Sequence, residues 1–212
     1  MAIKCFAFVA TETAILEIVM NNEIEASFLD INKDDIRSRL KDAGAKLGYS
    51  EVLMRRTVFD TGPHSFARVR DEGDKIVMTY KNYIDDTSIM GCKEVNLSVD
   101  NYDEAIKFLK GCGLQEKARQ ETYRELWLLD GAEVTIDTWP WIPSYIEIEG
   151  PSEENVWQVA EKLGFSKEEA HFGAVDHIYQ HYYGVDMDII NNSTPVINFE
   201  MEPPKWAQKR IL

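Results

Sequence analysis

Glu23-Ile24-Glu25-Ala26-Ser27-Phe28 puts two carboxylates at i and i+2 in an apolar-alternating run, so as a β-strand it presents both to one face. A second carboxylate pair stands in Glu147-Ile148-Glu149, and Glu133-Val134-Thr135-Ile136-Asp137 carries acids in the same alternation. Arg68-Val69-Arg70 and Thr79-Tyr80-Lys81 show it with cations. A half-solvated antiparallel sheet also alternates, but its polar face mixes Thr, Ser and both charge signs. Here each run carries essentially one sign on one face and apolar side chains on the other. Several strands of this kind imply a charged interior.

Such an interior needs compensation. Two like carboxylates about 4 Å apart repel by roughly 4 kcal/mol at an effective dielectric near 20. Divalent cations relieve the acidic side, and hard carboxylate oxygens without Cys or His favour Mg²⁺ or Mn²⁺. Arginines gathered opposite suit phosphate oxygens through bidentate, permanently charged contacts.

The 212 residues suit one domain with appendages. Lys and Arg number 23 against 37 Asp and Glu, a formal charge of −14, which disfavours nucleic acid and an anionic membrane surface as partners. A small polyanion stays compatible, because a concave basic cluster sets its own local potential. Cys5, Cys92 and Cys112 form neither a CxxC nor an even framework, which points to a reduced, cytoplasmic setting. No run reaches the length of a membrane-spanning helix. Residues 1–19 read as an N-terminal extension, with Met20 as the natural start.

Along the chain, Asn32 caps a helix over about 33–46, strands follow at 51–60 and 66–70, and a tight turn leads to a hairpin partner over 75–82. A strand over 92–99 precedes a helix capped by Asp100 and ended by Gly111 and Gly113. Strands over 117–129 and 132–138 flank Asp130-Gly131, and another spans 145–149. Ser152 caps a further helix, Ser166-Lys167-Glu168-Glu169 opens another, and residues beyond Gly184 read as an extended surface tail. The fold class is therefore α+β, roughly eight strands with helices inserted between hairpins. His177 and His181, at i and i+4, lack the Glu of a zinc motif and read as helix-surface or packing residues. Trp139 and Trp141 lie in a proline-bounded connector and read as packing rather than as base-stacking platforms.

Taken as an ordered set, Glu23-Ile-Glu25, Phe66-Ala-Arg68-Val-Arg70, Thr79-Tyr-Lys81, Lys93-Glu94-Val, Tyr123-Arg124-Glu-Leu-Trp, Thr135-Ile-Asp137 and Tyr145-Ile-Glu147-Ile-Glu149 resemble the CYTH superfamily of triphosphate tunnel metalloenzymes. The resemblance covers about residues 21–183 and implies a closed antiparallel eight-stranded β-barrel with flanking helices over 20–184, followed by the tail 185–212. It implies a small-molecule triphosphate substrate and allows a homodimer. By matched position it places Arg68, Arg70, Lys81 and Arg124 on the triphosphate, with Arg119 adding to the basic side. By the same resemblance Glu23, Glu25, Asp137, Glu147 and Glu149, and with them Glu94, would bind or orient metal, and Glu23, Glu25, Lys81, Glu147 and Glu149 would form the catalytic set.

Two positions depart from the family pattern. Ser27 stands where the opening Glu-x-Glu-x-Lys signature has its lysine, and Tyr123 where many relatives carry a second basic residue. The lost cation could be offset by Arg119, or by one of Arg55 and Arg56, of which at most one faces inward. The implied activity is triphosphate hydrolysis, with a class IV adenylate cyclase and a catalytically weak triphosphate-binding module as alternatives.

Overall fold

The computed structural model of the protein describes residues 20–211, so the expectation for residues 1–19 lies outside the described residues. Ten strands share one sheet: β1 (Asn21–Glu23), β2 (Glu25–Phe28), β3 (Lys46–Asp60), β4 (Ser65–Asp71), β5 (Ile76–Tyr83), β6 (Cys92–Val99), β7 (Gln115–Leu129), β8 (Ala132–Thr138), β9 (Tyr145–Glu149) and β10 (Val196–Ile197). The order β1-β6-β5-β4-β3-β7-β8-β9-β2 returns to its own beginning, because β1 and β2 are separated only by Ile24. β1 pairs with β6 at one end of the series and β2 with β9 at the other, so residues 21–28 close the barrel. Counted as one interrupted strand, that segment makes the ring eight-stranded. β10 lies off the ring and pairs in parallel with β7.

The helices follow the apolar faces. α1 (Lys33–Asp42) starts at Asn32, whose side chain accepts from the amides of Asp34 at 3.0 Å and Asp35 at 3.1 Å. α3 (Glu153–Lys162) starts at Ser152. Together they cover the outer face of β2, β8 and β9, where Ala26, Phe28, Val134, Ile136, Ile146 and Ile148 pack with Ile36, Leu40, Val156 and Val159. α2 (Tyr102–Gly111) packs Ala105, Ile106 and Leu109 on Ala67 and Val69 of β4. Its cap is Asn101 rather than the expected Asp100: the Asn101 side chain accepts from the Glu104 amide at 3.1 Å.

Two expectations are corrected. Ser166 opens only a single 3₁₀ turn, Lys167–Glu169, because the chain then extends so that His171 can bridge to Ser27, with backbone hydrogen bonds of 2.9 Å in both directions. The next helix, α4, begins at Val175 and runs to Tyr183. Beyond Gly184 the chain is not an extended surface tail. It forms α5 (Met187–Ser193) and β10, and buries Ile190, Ile197 and Ala207 against Trp139, Tyr179 and Tyr182. Ile197 is fully buried, so Ile197→Ala should cost about 2–5 kcal/mol of stability. Chemical denaturation of the full chain would show this, and an unchanged midpoint would refute a packed C-terminal segment. No helix among the described residues is long and apolar enough to cross a membrane.

Candidate active site: a charged cavity inside the barrel

The alternation in the strands directs ionisable groups into the barrel. On β9, Ile146 and Ile148 enter the outer core while Tyr145, Glu147 and Glu149 line an internal cavity of about 990 Å³. Glu23, Glu25, Arg56, Arg68, Arg70, Lys81, Glu94 and Arg124 line the same cavity. The structure thus brings together most of the residues singled out from the sequence.

The acidic wall centres on Glu23, Glu25 and Glu149, each of which offers a carboxylate oxygen within 4.8 Å of the others. The β-ladder explains the meeting: Glu25 lies opposite Glu149, and Glu23 follows one residue before the Ile24 break. Burial, Glu23 and Glu147 push the Glu25 carboxyl well above the usual carboxylate range. Burial and the charge of Glu23 push Glu149 up to about 7. Burial would raise Glu23 as well, but the ammonium of Lys81, bonded to its carboxylate, holds it below its ordinary value. Lys81 is in turn raised, because Glu23 and Glu25 outweigh its own burial, and its ammonium also lies 3.5 Å from Glu94. An all-carboxylate donor set under mutual repulsion fits a hard divalent cation.

The raised carboxyls give metal binding a pH dependence of defined sign. Between about pH 4.5 and about pH 7 the folded protein holds a proton on Glu149 that the unfolded chain has released, so this group's contribution to metal-free stability falls as pH rises through that range. A cation must displace that proton. If a divalent cation such as Mg²⁺ is held there, the rise in melting temperature it produces should grow between about pH 5 and about pH 8. A pH-independent rise would contradict the assignment of these carboxylates as ligands.

The basic wall divides into cations that have carboxylate partners and cations that do not. Arg124 donates through Nε to Asp137 at 2.7 Å and through Nη2 to Glu147 at 2.6 Å, and Asp137 is fully buried. Burial would lower the Arg124 pKa, but Asp137 and Glu147 drive it well above its ordinary value. Glu147 itself is raised, its burial outweighing the attraction of Arg124. Arg70 donates through Nε to Glu72 at 2.7 Å, yet burial together with Arg68 and Arg124 lowers its pKa to about 10. Arg68 is buried, forms no salt bridge among the described residues, and leaves Nε without a hydrogen-bond partner. Arg56 is likewise buried, with Nε and Nη2 unpartnered. A buried donor left unmade costs about 1–3 kcal/mol, and more when it is charged.

Three placements differ from expectation. Arg119 is not on the basic wall: it is exposed on the outer side of β7 and donates to Glu116 at 2.6 Å. Asp137 is held by Arg124 and does not join the acidic triad, and Glu94 stands on Lys81 and Asn96. Of the adjacent arginines, Arg55 is exposed and pairs with Glu121, while Arg56 faces inward and was not assigned from the sequence. His177 bonds Asp86 at 3.2 Å and His181 packs against His171, so the two form no common site. Trp141 packs on Trp206 and Tyr179.

The CYTH domain model matches residues 21–182. No curated protein matches the chain. Among solved structures, the PH1012 protein from Pyrococcus horikoshii OT3 is similar at 25% identity and a TM-score of 0.61, over 70% of this chain and 94% of its own. A conserved hypothetical protein from Pyrococcus furiosus, at 22% identity and a TM-score of 0.61, covers the same shares of 70% and 94%. A candidate adenylate cyclase from Vibrio parahaemolyticus has a TM-score of 0.65 at 12% identity, over 76% of this chain and 98% of its own, a likeness of fold. With the matched domain spanning the whole barrel, the chain belongs to the CYTH domain family.

Proposed function

We propose that the protein is a divalent-metal-dependent enzyme that hydrolyses a triphosphate-containing small molecule. The observation that carries this reading is the cavity's division of charge. Arg68, buried and without a carboxylate partner, stands beside Arg70, whose pKa is lowered by burial and by the charges of Arg68 and Arg124, while an acidic triad faces the same space. Such a set is incomplete without a polyanion on one wall and a cation on the other.

Glu23, Glu25 and Glu149 would hold Mg²⁺ or Mn²⁺, which supplies an activated water and neutralises phosphate charge. Arg68, Arg70 and Arg124 take the phosphate oxygens in their planar forks, and their fixed charge stabilises the negative charge that develops as the terminal P–O bridge breaks. Asp137 and Glu147 keep Arg124 oriented, and Glu23 and Glu94 do the same for Lys81. Water adds to the terminal phosphorus; orthophosphate and the shortened phosphate chain leave.

The cyclase alternative implied by the family resemblance is also how the Vibrio parahaemolyticus neighbour is described. It requires a platform for adenine, and the two tryptophans of the connector do not offer one: Trp139 is 3% exposed beneath Arg56, and Trp141 is packed on Trp206. Incubation with ATP and Mg²⁺, with phosphate, pyrophosphate and cyclic AMP resolved in one sample, separates the two. Orthophosphate with ADP is expected; cyclic AMP with pyrophosphate would replace the hydrolase by the cyclase.

A further inference from the structure

Arg56 lies on β3 with Arg70 of β4 opposite it on one side and Gln120 of β7 on the other. Its guanidinium carbon sits 4.5 Å from the centroid of the Trp139 ring. That ring is itself fixed: Trp139 is buried, and the following Pro140 carbonyl accepts from the Tyr179 hydroxyl at 2.9 Å. An aromatic face attracts the cation and sets the plane of its fork, but it accepts none of the guanidinium N–H bonds. Nε and Nη2 remain unpartnered although both are buried. Of the neighbouring cations Arg68 shares this state, whereas Arg70 has Glu72 and Arg124 has Asp137 and Glu147.

A fork whose plane is held and whose donors are unused, on the wall of a cavity, is built to receive a planar or tetrahedral oxyanion. We propose that Arg56, on its Trp139 platform, is a further anion-binding residue of the cavity and takes phosphate oxygens of the bound triphosphate beside Arg68 and Arg70. The proposal rests on the triphosphate reading of the site and adds to it a positively charged contact on β3. Burial and the charges of Arg68, Arg70 and Arg124 push the Arg56 pKa well below its ordinary value. An anion arriving between these groups would reverse that pressure.

The test compares wild type, Arg56→Gln and Arg56→Lys by ligand-free thermal melting and by calorimetric titration with tripolyphosphate in Mg²⁺ buffer. Arg56→Gln should melt at or above wild type, because a buried unpaired charge has gone. Its affinity for tripolyphosphate should fall roughly 10–100-fold, the range of one or two charge-assisted hydrogen bonds. Arg56→Lys should bind less tightly than wild type but more tightly than Arg56→Gln, since it keeps the charge and loses the fork. A lowered melting temperature with wild-type affinity would overturn the proposal and make the Trp139 contact purely structural. If Arg56→Gln does not fold, Arg56→Lys decides: weakened binding supports the role, and wild-type affinity overturns it. Absence of tripolyphosphate binding by wild type would instead remove the triphosphate reading, and with it this assignment.

Discussion

Arg68→Ala should cut triphosphate turnover by about two to three orders of magnitude while leaving the ligand-free fold at least as stable as wild type. The two effects have one cause. Arg68 is 9% exposed, has no carboxylate partner among the described residues, and leaves Nε unbonded. It therefore brings desolvation and repulsion to the empty protein, and its favourable interactions arise when phosphate oxygens fill the cavity. Steady-state kinetics with tripolyphosphate together with a melting curve would check both halves. A variant that turns over normally would remove the basic wall from the mechanism, and one that merely unfolds would make Arg68 a structural residue.

Arg124→Ala should behave in the opposite way, costing about 3–5 kcal/mol of stability. Asp137 is fully buried and receives the Arg124 Nε at 2.7 Å, and Glu147 receives Nη2 at 2.6 Å, so removing the guanidinium strands two carboxylates without a cation. Urea denaturation of Arg124→Ala, and of Arg124→Ala combined with Asp137→Asn, would test this, the second change recovering part of the loss. A single-variant loss below about 1 kcal/mol would place the ion pair in the range of a solvated surface bridge and contradict its structural role. Arg68 and Arg124 thus face one cavity but act oppositely on the ligand-free fold, according to whether a carboxylate is already in place.

Much of this arrangement was legible from alternation alone. Cys92–Val99 forms a strand over the expected residues, and the pairs Glu23 with Glu25, Arg68 with Arg70 and Glu147 with Glu149 do share the interior. The Arg119 expectation failed on parity. Arg119 and Arg124 stand five residues apart on one uninterrupted strand, so when Arg124 faces inward Arg119 faces out. That signal was present in the sequence. The choice between Arg55 and Arg56 was harder, because β3 carries irregularities in its pairing with β7 between Leu47 and Tyr49, Tyr49 and Val52, and Val58 and Phe59. Each such irregularity changes which residues face inward.

The C-terminal segment escaped the sequence for a different reason. Ile190 and Ile197 are buried in one cluster with Tyr179 of the preceding helix and with Trp139, which is remote in the chain, and the seven residues of α5 are too few for helical periodicity to show. The Ser166 cap was real but short-lived, since the His171–Ser27 bridge takes the chain away after one turn. In both cases a long-range contact decided a local question. Ser27 itself lies in the ladder opposite Glu147. Of the residues weighed as replacements for a lysine there, Arg119 lies outside the barrel and Arg56 lies within it.

The most direct measurement of the central claim is a crystal structure of the protein with Mn²⁺ and tripolyphosphate. Anomalous scattering should place Mn²⁺ on Glu23, Glu25 and Glu149, with the phosphate chain spanning from the metal to Arg68, Arg70 and Arg124. Metal and polyphosphate located on the outer surface, with only water between the two charged walls, would contradict it.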